Sequence, residues 1–172
     1  THRWGSVNVF VVRVYRFRLY PTKAQTAALT QTLDLLRFLY NAALEERREA
    51  WRKQRVSISR ADQDRELTEL RAACPEYKAL HSQLLQDVTA RLDRAFKAFF
   101  RRVAAGETPG YPRFKPRDRY TTLTFKQAGV TGAFIVAVGK RLRLSGIGNV
   151  RMKAHREMEG TLKTIGVTVD GD

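Results

Sequence analysis

Ten residues, Gly110 to Arg119 (GYPRFKPRDR), set Tyr111 and Phe114 among Arg113, Lys115, Arg117 and Arg119, with two prolines stiffening the backbone. Cations at that density hold phosphates and flat rings stack on bases, so the strip suits a nucleic-acid backbone. A linker whose rings pin it to a core would have the same composition. A second pattern lies further on, where Arg141, Arg143, Arg151, Lys153, His155 and Arg156 alternate with Leu142, Leu144, Val150 and Met152. On strands this spacing buries the apolar set and displays the basic one. Arg16 and Arg18 alternate in the same way with Tyr15, Phe17 and Leu19. A third pattern is helical: Gln83 and Gln86, with Ser82, are read as lying away from an apolar stripe, beside Arg94, Lys97 and Arg101. A glutamine amide pairs bidentately with an adenine edge, although an exposed Gln is also an ordinary helix former.

Chemistry of other kinds finds little here. Cys74 is the single cysteine, which excludes an internal disulfide and a multi-cysteine zinc site, and it sits inert before Pro75. Asp170 and Asp172 flank Gly171 as in a hairpin turn, and the other carboxylates sit mainly among Arg and Lys on charged helices, as on a solvated face. No constellation of carboxylates for divalent metal stands out.

The charge is segregated as well as large. Lys and Arg number 32 against 17 Asp and Glu, for a formal +15 and a pI near 10.6, which calls for a polyanionic partner. From Asp34 to Asp93 there are 11 acidic and 11 basic residues, whereas residues 1–23 hold five basic residues and no acid. Lys140 to Arg156 holds six basic residues and no acid, so the positive field belongs to the two ends. A membrane-surface protein would carry its cations on an amphipathic helix instead, and no apolar run is long enough to span a bilayer. With no signal peptide opening the chain, the expectation is a cytoplasmic protein without a membrane partner.

The elements that must position these groups follow from periodicity. Val9–Tyr20 reads as a strand with a basic outer face, ended by Pro21. Thr22 and Gln25 have the form of a capping box opening a helix to about Gln54, with Leu29, Leu33, Leu36, Tyr40 and Leu44 as its buried stripe. Ser59 caps a second helix to about Ala73, and Pro75 stops it. A third runs from Ala79 to Ala105, with Leu84, Leu85, Val88, Leu92, Phe96, Phe99 and Val103 inward and Gly106 as its stop. After a Gly- and Pro-containing loop, residues 120–126, 134–138, 141–144, 150–155 and 162–169 read as short strands. The fold class is therefore α+β: a small β-barrel with a three-helix insertion after its first strand.

Six segments together resemble one family: Tyr15–Pro21 (YRFRLYP) followed by Gln25, Arg37–Asn41 (RFLYN), Ser82–Asp87 (SQLLQD), Ala95–Arg101 (AFKAFFR), Gly110–Lys115 (GYPRFK) and Arg141–Gly148 (RLRLSGIG). In this order they are similar to the N-terminal half of TnpB, the RNA-guided nuclease of bacterial insertion sequences, related to type V CRISPR effectors. The resemblance covers roughly residues 13–169 and implies a wedge-like barrel made from 9–20 and 120–172, a helical recognition-like domain at 21–106 and a basic Pro/Gly linker at 107–119. It implies guide RNA and target DNA as partners. It also implies that Ser82, Gln83 and Gln86, helped by Ser59, Arg60, Lys126 and Gln127, read a short DNA motif beside the target. The family's RuvC-like nuclease and zinc-binding domains, with the Mg²⁺ that cleavage needs, would follow Asp172, so the same chain or a partner would have to supply them. No cofactor is expected within these residues. The reading is an RNA-guided DNA-binding part without its cleavage domain. Alternatives are a nuclease-dead, repressor-like RNA-guided binder and a structured-RNA or ribosome-binding protein.

Overall fold

The computed structural model describes residues 11–128, 133–136 (backbone only) and 140–169. Thr22 Oγ1 accepts the Gln25 N–H at 3.2 Å while Gln25 Oε1 accepts the Thr22 N–H at 3.0 Å, the reciprocal cap expected from the sequence. It opens α1 (Lys23–Gln54), which ends where Arg55 turns left-handed at φ 56°. The same kind of box, Ser59 with Asp62, opens α2 (Arg60–Ala73). Pro75 does more than stop that helix. Its fixed φ and missing N–H suit the first helical position, and it starts a one-turn helix α3 (Pro75–Lys78). α4 (Ser82–Ala104) therefore begins at Ser82, three residues later than the periodicity suggested, and the described residues hold four α-helical segments where three were expected.

The strands are β1 (Leu19–Tyr20), β2 (Thr122–Phe125), β3 (Ala133–Val136), β4 (Arg141–Leu144), β5 (Gly148–Met152) and β6 (Ile165–Thr168). They form an antiparallel four-stranded sheet in the order β1-β5-β4-β3 and a two-stranded sheet β2-β6. No ladder among the described residues joins the two sheets into a closed barrel. The first strand is far shorter than Val9–Tyr20: only Leu19 and Tyr20 pair, opposite Met152 and Arg151, and residues 9 and 10 lie outside the described part. The alternation itself holds, with Tyr15, Phe17 and Leu19 half-buried and Arg16, Arg18 and Tyr20 exposed. Alternation assigns faces, but ladder length is set by the partner strand, and β5 ends at Met152, short of His155.

One apolar core serves both sheets and helices. Leu36, Tyr40 and Leu44 of α1, Leu67 of α2, and Leu84, Leu85, Val88 and Leu92 of α4 cluster with Leu123 and Phe125 of β2, Leu142 and Leu144 of β4, and Val150 of β5. α2 and α3 return along α1, with the Gln63 amide of α2 on the Ala43 carbonyl and the Tyr77 hydroxyl of α3 on the Leu35 carbonyl. The inward stripe expected for the third helix is correct up to Phe96. Phe99 is half-buried against Tyr111 and Val103 is 50% exposed, because the end of α4 runs beyond the elements that cover its middle.

Candidate nucleic-acid interface

The outer face of β1, β5 and β4 is a field of cations. Leu142, Leu144, Val150 and Met152 point into the core, which turns Arg141 and Arg143 of β4 and Arg151 of β5 outward. Arg141 and Arg151 stand directly opposite each other, and Arg151 lies 5.5 Å over the ring of Tyr20 on the next strand. The Lys153 N–H donates to the Arg18 carbonyl at 2.9 Å, which carries the row on to Lys153, Arg18 and Arg16, all exposed. Among the described residues no carboxylate lies within ion-pair distance of any cation in this row. Like charges set opposite one another cost stability unless an anion from elsewhere relieves them. At the edge of the row Arg156 lies 5.1 Å over the Tyr15 ring and His155 packs 5.3 Å from Phe17.

The basic linker is a strap laid along α1. It starts beside the far end of α4, where Tyr111 meets Phe96 and Phe99 edge-on at 5.7 and 5.3 Å. Phe114 then sits under the Arg48 guanidinium at 5.1 Å, and Lys115 lies 5.3 Å over Tyr40. Asn41 clips the strap in place, its Oδ1 accepting the Lys115 N–H at 2.8 Å and its Nδ2 donating to the Lys115 carbonyl at 3.1 Å. Arg117 reaches Asp34 at 3.0 Å, while Arg113 and Arg119 face solvent. Tyr111 thus pins the strap, as a ring in a plain linker would. Part of each of the two rings stays accessible, 41% for Tyr111 and 44% for Phe114.

Gln83 and Gln86 part company on α4. Gln83 is buried, which corrects its expected place on the open face: its Oε1 accepts the Gln127 N–H at 3.1 Å and its Nε2 donates to the Gln127 carbonyl at 3.4 Å. Four residues on, buried Asp87 accepts from Arg91 Nε at 2.6 Å and faces Lys126 Nζ at 3.5 Å. Arg91 then donates to the Thr122 carbonyl at 2.7 Å and Thr124 Oγ1 at 2.9 Å. Gln86 is exposed and, with Ser82, lines a cleft of about 240 Å³ between α2 and α4, together with Asp64, Thr68 and Arg71. Ser59 uses its hydroxyl to cap α2, and Arg60 pairs with Asp64 at 3.2 Å. Of the helical cations, Arg94 and Arg101 are exposed and Lys97 pairs with Asp93 at 2.8 Å. The start of α4 is capped by His81, whose Nδ1 accepts the Gln83 N–H at 3.3 Å. Burial against Phe125, reinforced by Arg71, holds the imidazole below its ordinary pKa.

Residues 11–55 match the OrfB family of IS605 elements, described as a helix-turn-helix domain. A protein of Streptomyces pristinaespiralis named "Putative RNA-guided DNA endonuclease" is 34% identical over 113 residues, 63% of this chain and 26% of the relative. The "Putative RNA-guided DNA endonuclease InsQ" of Escherichia coli (strain K12) is 27% identical over 159 residues, 91% of this chain and 37% of the relative. Over these matched stretches the chain is similar to proteins named as RNA-guided DNA endonucleases. It spans well under half the length of these relatives. Within the segment matched as helix-turn-helix, this chain has β1 and one uninterrupted helix of 32 residues.

Several residues in the TnpB-like motifs turn out to be joints. Gln25 Nε2 donates to the Asn149 carbonyl at 3.0 Å, Asn41 clips Lys115, and Gln83 clips Gln127. Sequence reasoning does not reach the roles of Asn41, Asp87 and Arg91. The available signal is a polar side chain flanking an apolar stripe, as Asn41 follows Tyr40 and as Asp87 precedes Arg91 by one helical turn. In the same way Arg47 is buried beside Phe96, held by Gln63 Oε1 at 2.8 Å and Asp93 at 3.8 Å.

Proposed function

We propose that the chain is the RNA-guided DNA-binding part of a TnpB-like protein. The outer face of β1, β5 and β4 takes the scaffold of a guide RNA, and the helices and strap hold the guide–target duplex. The observation that carries this is the row Arg16, Arg18, Arg141, Arg143, Arg151 and Lys153, displayed without carboxylate partners among the described residues. Such a row is unfavourable alone and is relieved by phosphates, whose condensed counterions leave on binding. The two sheets are the wedge-like part in this reading, and the segment 21–106 is its recognition-like insertion. Ser82 and Gln86 at the α2–α4 cleft read the DNA motif next to the target. Arg60, joined to the cleft through Asp64, and Lys126 and Gln127, joined to α4 through Asp87 and Gln83, assist them. Cleavage is assigned to none of these residues.

The test is to purify the protein, sequence the RNA that accompanies it, and measure the affinity for that RNA against salt. A single structured transcript ending in a variable guide is expected, with affinity falling steeply as salt rises. Replacing Arg151, Lys153 and Arg156 together should flatten the slope of log affinity against log salt by up to about 2 to 3, near one unit for each phosphate no longer neutralised. Ribosomal RNA would favour a structured-RNA binder, and an unchanged slope would move the RNA site off this face.

A further inference from the structure

We propose that Gln83 and Asp87 are positioning residues that lock the first half of α4 to β2, so that Gln86 is presented at a fixed rotation of its helix. Gln86 lies between two pinned neighbours. Three residues before it, Gln83 makes a two-bond clip to the backbone of Gln127, and three residues after it, the Thr89 hydroxyl donates to Asp64 of α2. Residues three apart share a helix face, so these two anchors fix the roll of α4 about its axis on either side of the exposed amide. Asp87 supplies a charged second attachment to the same strand. Its carboxylate is 3% exposed, orients Arg91, and through Arg91 reaches the Thr122 carbonyl and the Thr124 hydroxyl of β2. Lys126 approaches the second carboxylate oxygen. β2 is thereby held to α4 at both its ends, at Thr122 and just beyond Phe125.

The consequence is geometric. A bidentate amide contact to a base edge tolerates little displacement, so a helix free to roll would keep its affinity for DNA while losing the ability to choose among bases. Gln83 and Asp87 touch no nucleic acid in this arrangement and act through Gln86. The second of two readouts rests on the motif reading above; the first does not.

Gln83→Leu fills the same buried volume without the clip, and Asp87→Asn keeps the shape without the charge. Both are made in the complete protein that carries this chain. Amide hydrogen exchange is read over residues 122–128, with the buried stretch of α1 around Leu36 to Leu44 as internal reference. Exchange in 122–128 should accelerate about tenfold or more in Gln83→Leu while the α1 reference stays protected. Unchanged exchange in that segment overturns the joint, and Gln83→Leu decides the matter if Asp87→Asn fails to fold. The second readout is binding of the RNA-loaded protein to double-stranded DNA whose randomised segment adjoins the sequence complementary to the bound RNA. Preference at the base governed by Gln86 should fall about fivefold or more, with affinity for the preferred sequence changed less than about threefold. A uniform loss across the library means that the pair only stabilises the fold, which overturns the positioning role. An unsubstituted protein without any base preference overturns the motif reading, and the positioning of Gln86 with it, before any variant is compared.

Discussion

Gln25, Asn41 and Gln83 each commit a side-chain amide to backbone groups far along the chain, at Asn149, Lys115 and Gln127. The primary amide carries a donor and an acceptor in one plane, so it mimics a strand edge and satisfies backbone that no ladder reaches. Asn41 is the simplest to test. Asn41→Ala removes two hydrogen bonds and leaves the Lys115 N–H and carbonyl half-buried without partners, at a cost of about 1 to 3 kcal/mol. Chemical denaturation should show that loss, with protease sensitivity rising in the segment 107–119. Gln86 offers the contrasting case, because its amide has solvent before it. Gln86→Ala retains a good helix former, so stability should scarcely change, while discrimination at one base pair falls by about 1 to 3 kcal/mol in a motif library. A uniform loss across sequences would return Gln86 to the scaffold. The sequence could not separate Gln83 from Gln86: both flank the apolar stripe, and only the arrival of β2 beside α4 decides that one is buried.

The helices were the most legible elements, since capping chemistry and periodicity are local and both caps, at Thr22 and at Ser59, formed as expected. α3 was missed because Pro75 reads equally as a stop and a start. The strands were legible as faces and poorly legible as lengths, Val9–Tyr20 shrinking to a two-residue ladder. The cap of α4 gives this scale its own prediction. His81 must be neutral at Nδ1 to accept the Gln83 N–H, and its folded-state pKa lies below the ordinary 6.5. The unfolded chain therefore takes up the proton first as pH falls. The contribution of the cap is complete above about 6.5 and is lost progressively as pH drops from there through the lower folded-state value. Melting temperature measured from pH 7.5 to 5 should fall more in the wild type than in His81→Asn, whose amide oxygen can accept the same bond without titrating in that window. Equal slopes would show that the imidazole is not what holds the start of α4.

For the whole molecule, one core joins helices and sheets while the excess positive charge stays at the periphery, and these two facts pull salt in opposite directions. Screening relieves repulsion within a chain of formal charge +15, so raising salt from about 50 to 200 mM should raise the melting temperature of the RNA-free protein. The same change should weaken RNA binding, and a protein both stabilised and more tightly bound to RNA by added salt would contradict the assignment of the cationic face. The pairing of β1 with β5 has a further consequence, in time rather than energy. Leu19 finds Met152 only after roughly 130 intervening residues have been made, which at translation rates of about 5 to 20 residues per second is on the order of ten seconds. During that interval the helices, whose contacts are more local, can form while the basic N-terminal stretch stays without its partner strand. The surface assigned to RNA is thus assembled late as the chain emerges, before only the β2–β6 pairing, and the nascent protein acquires its completed cationic row only once its helical part is already in place.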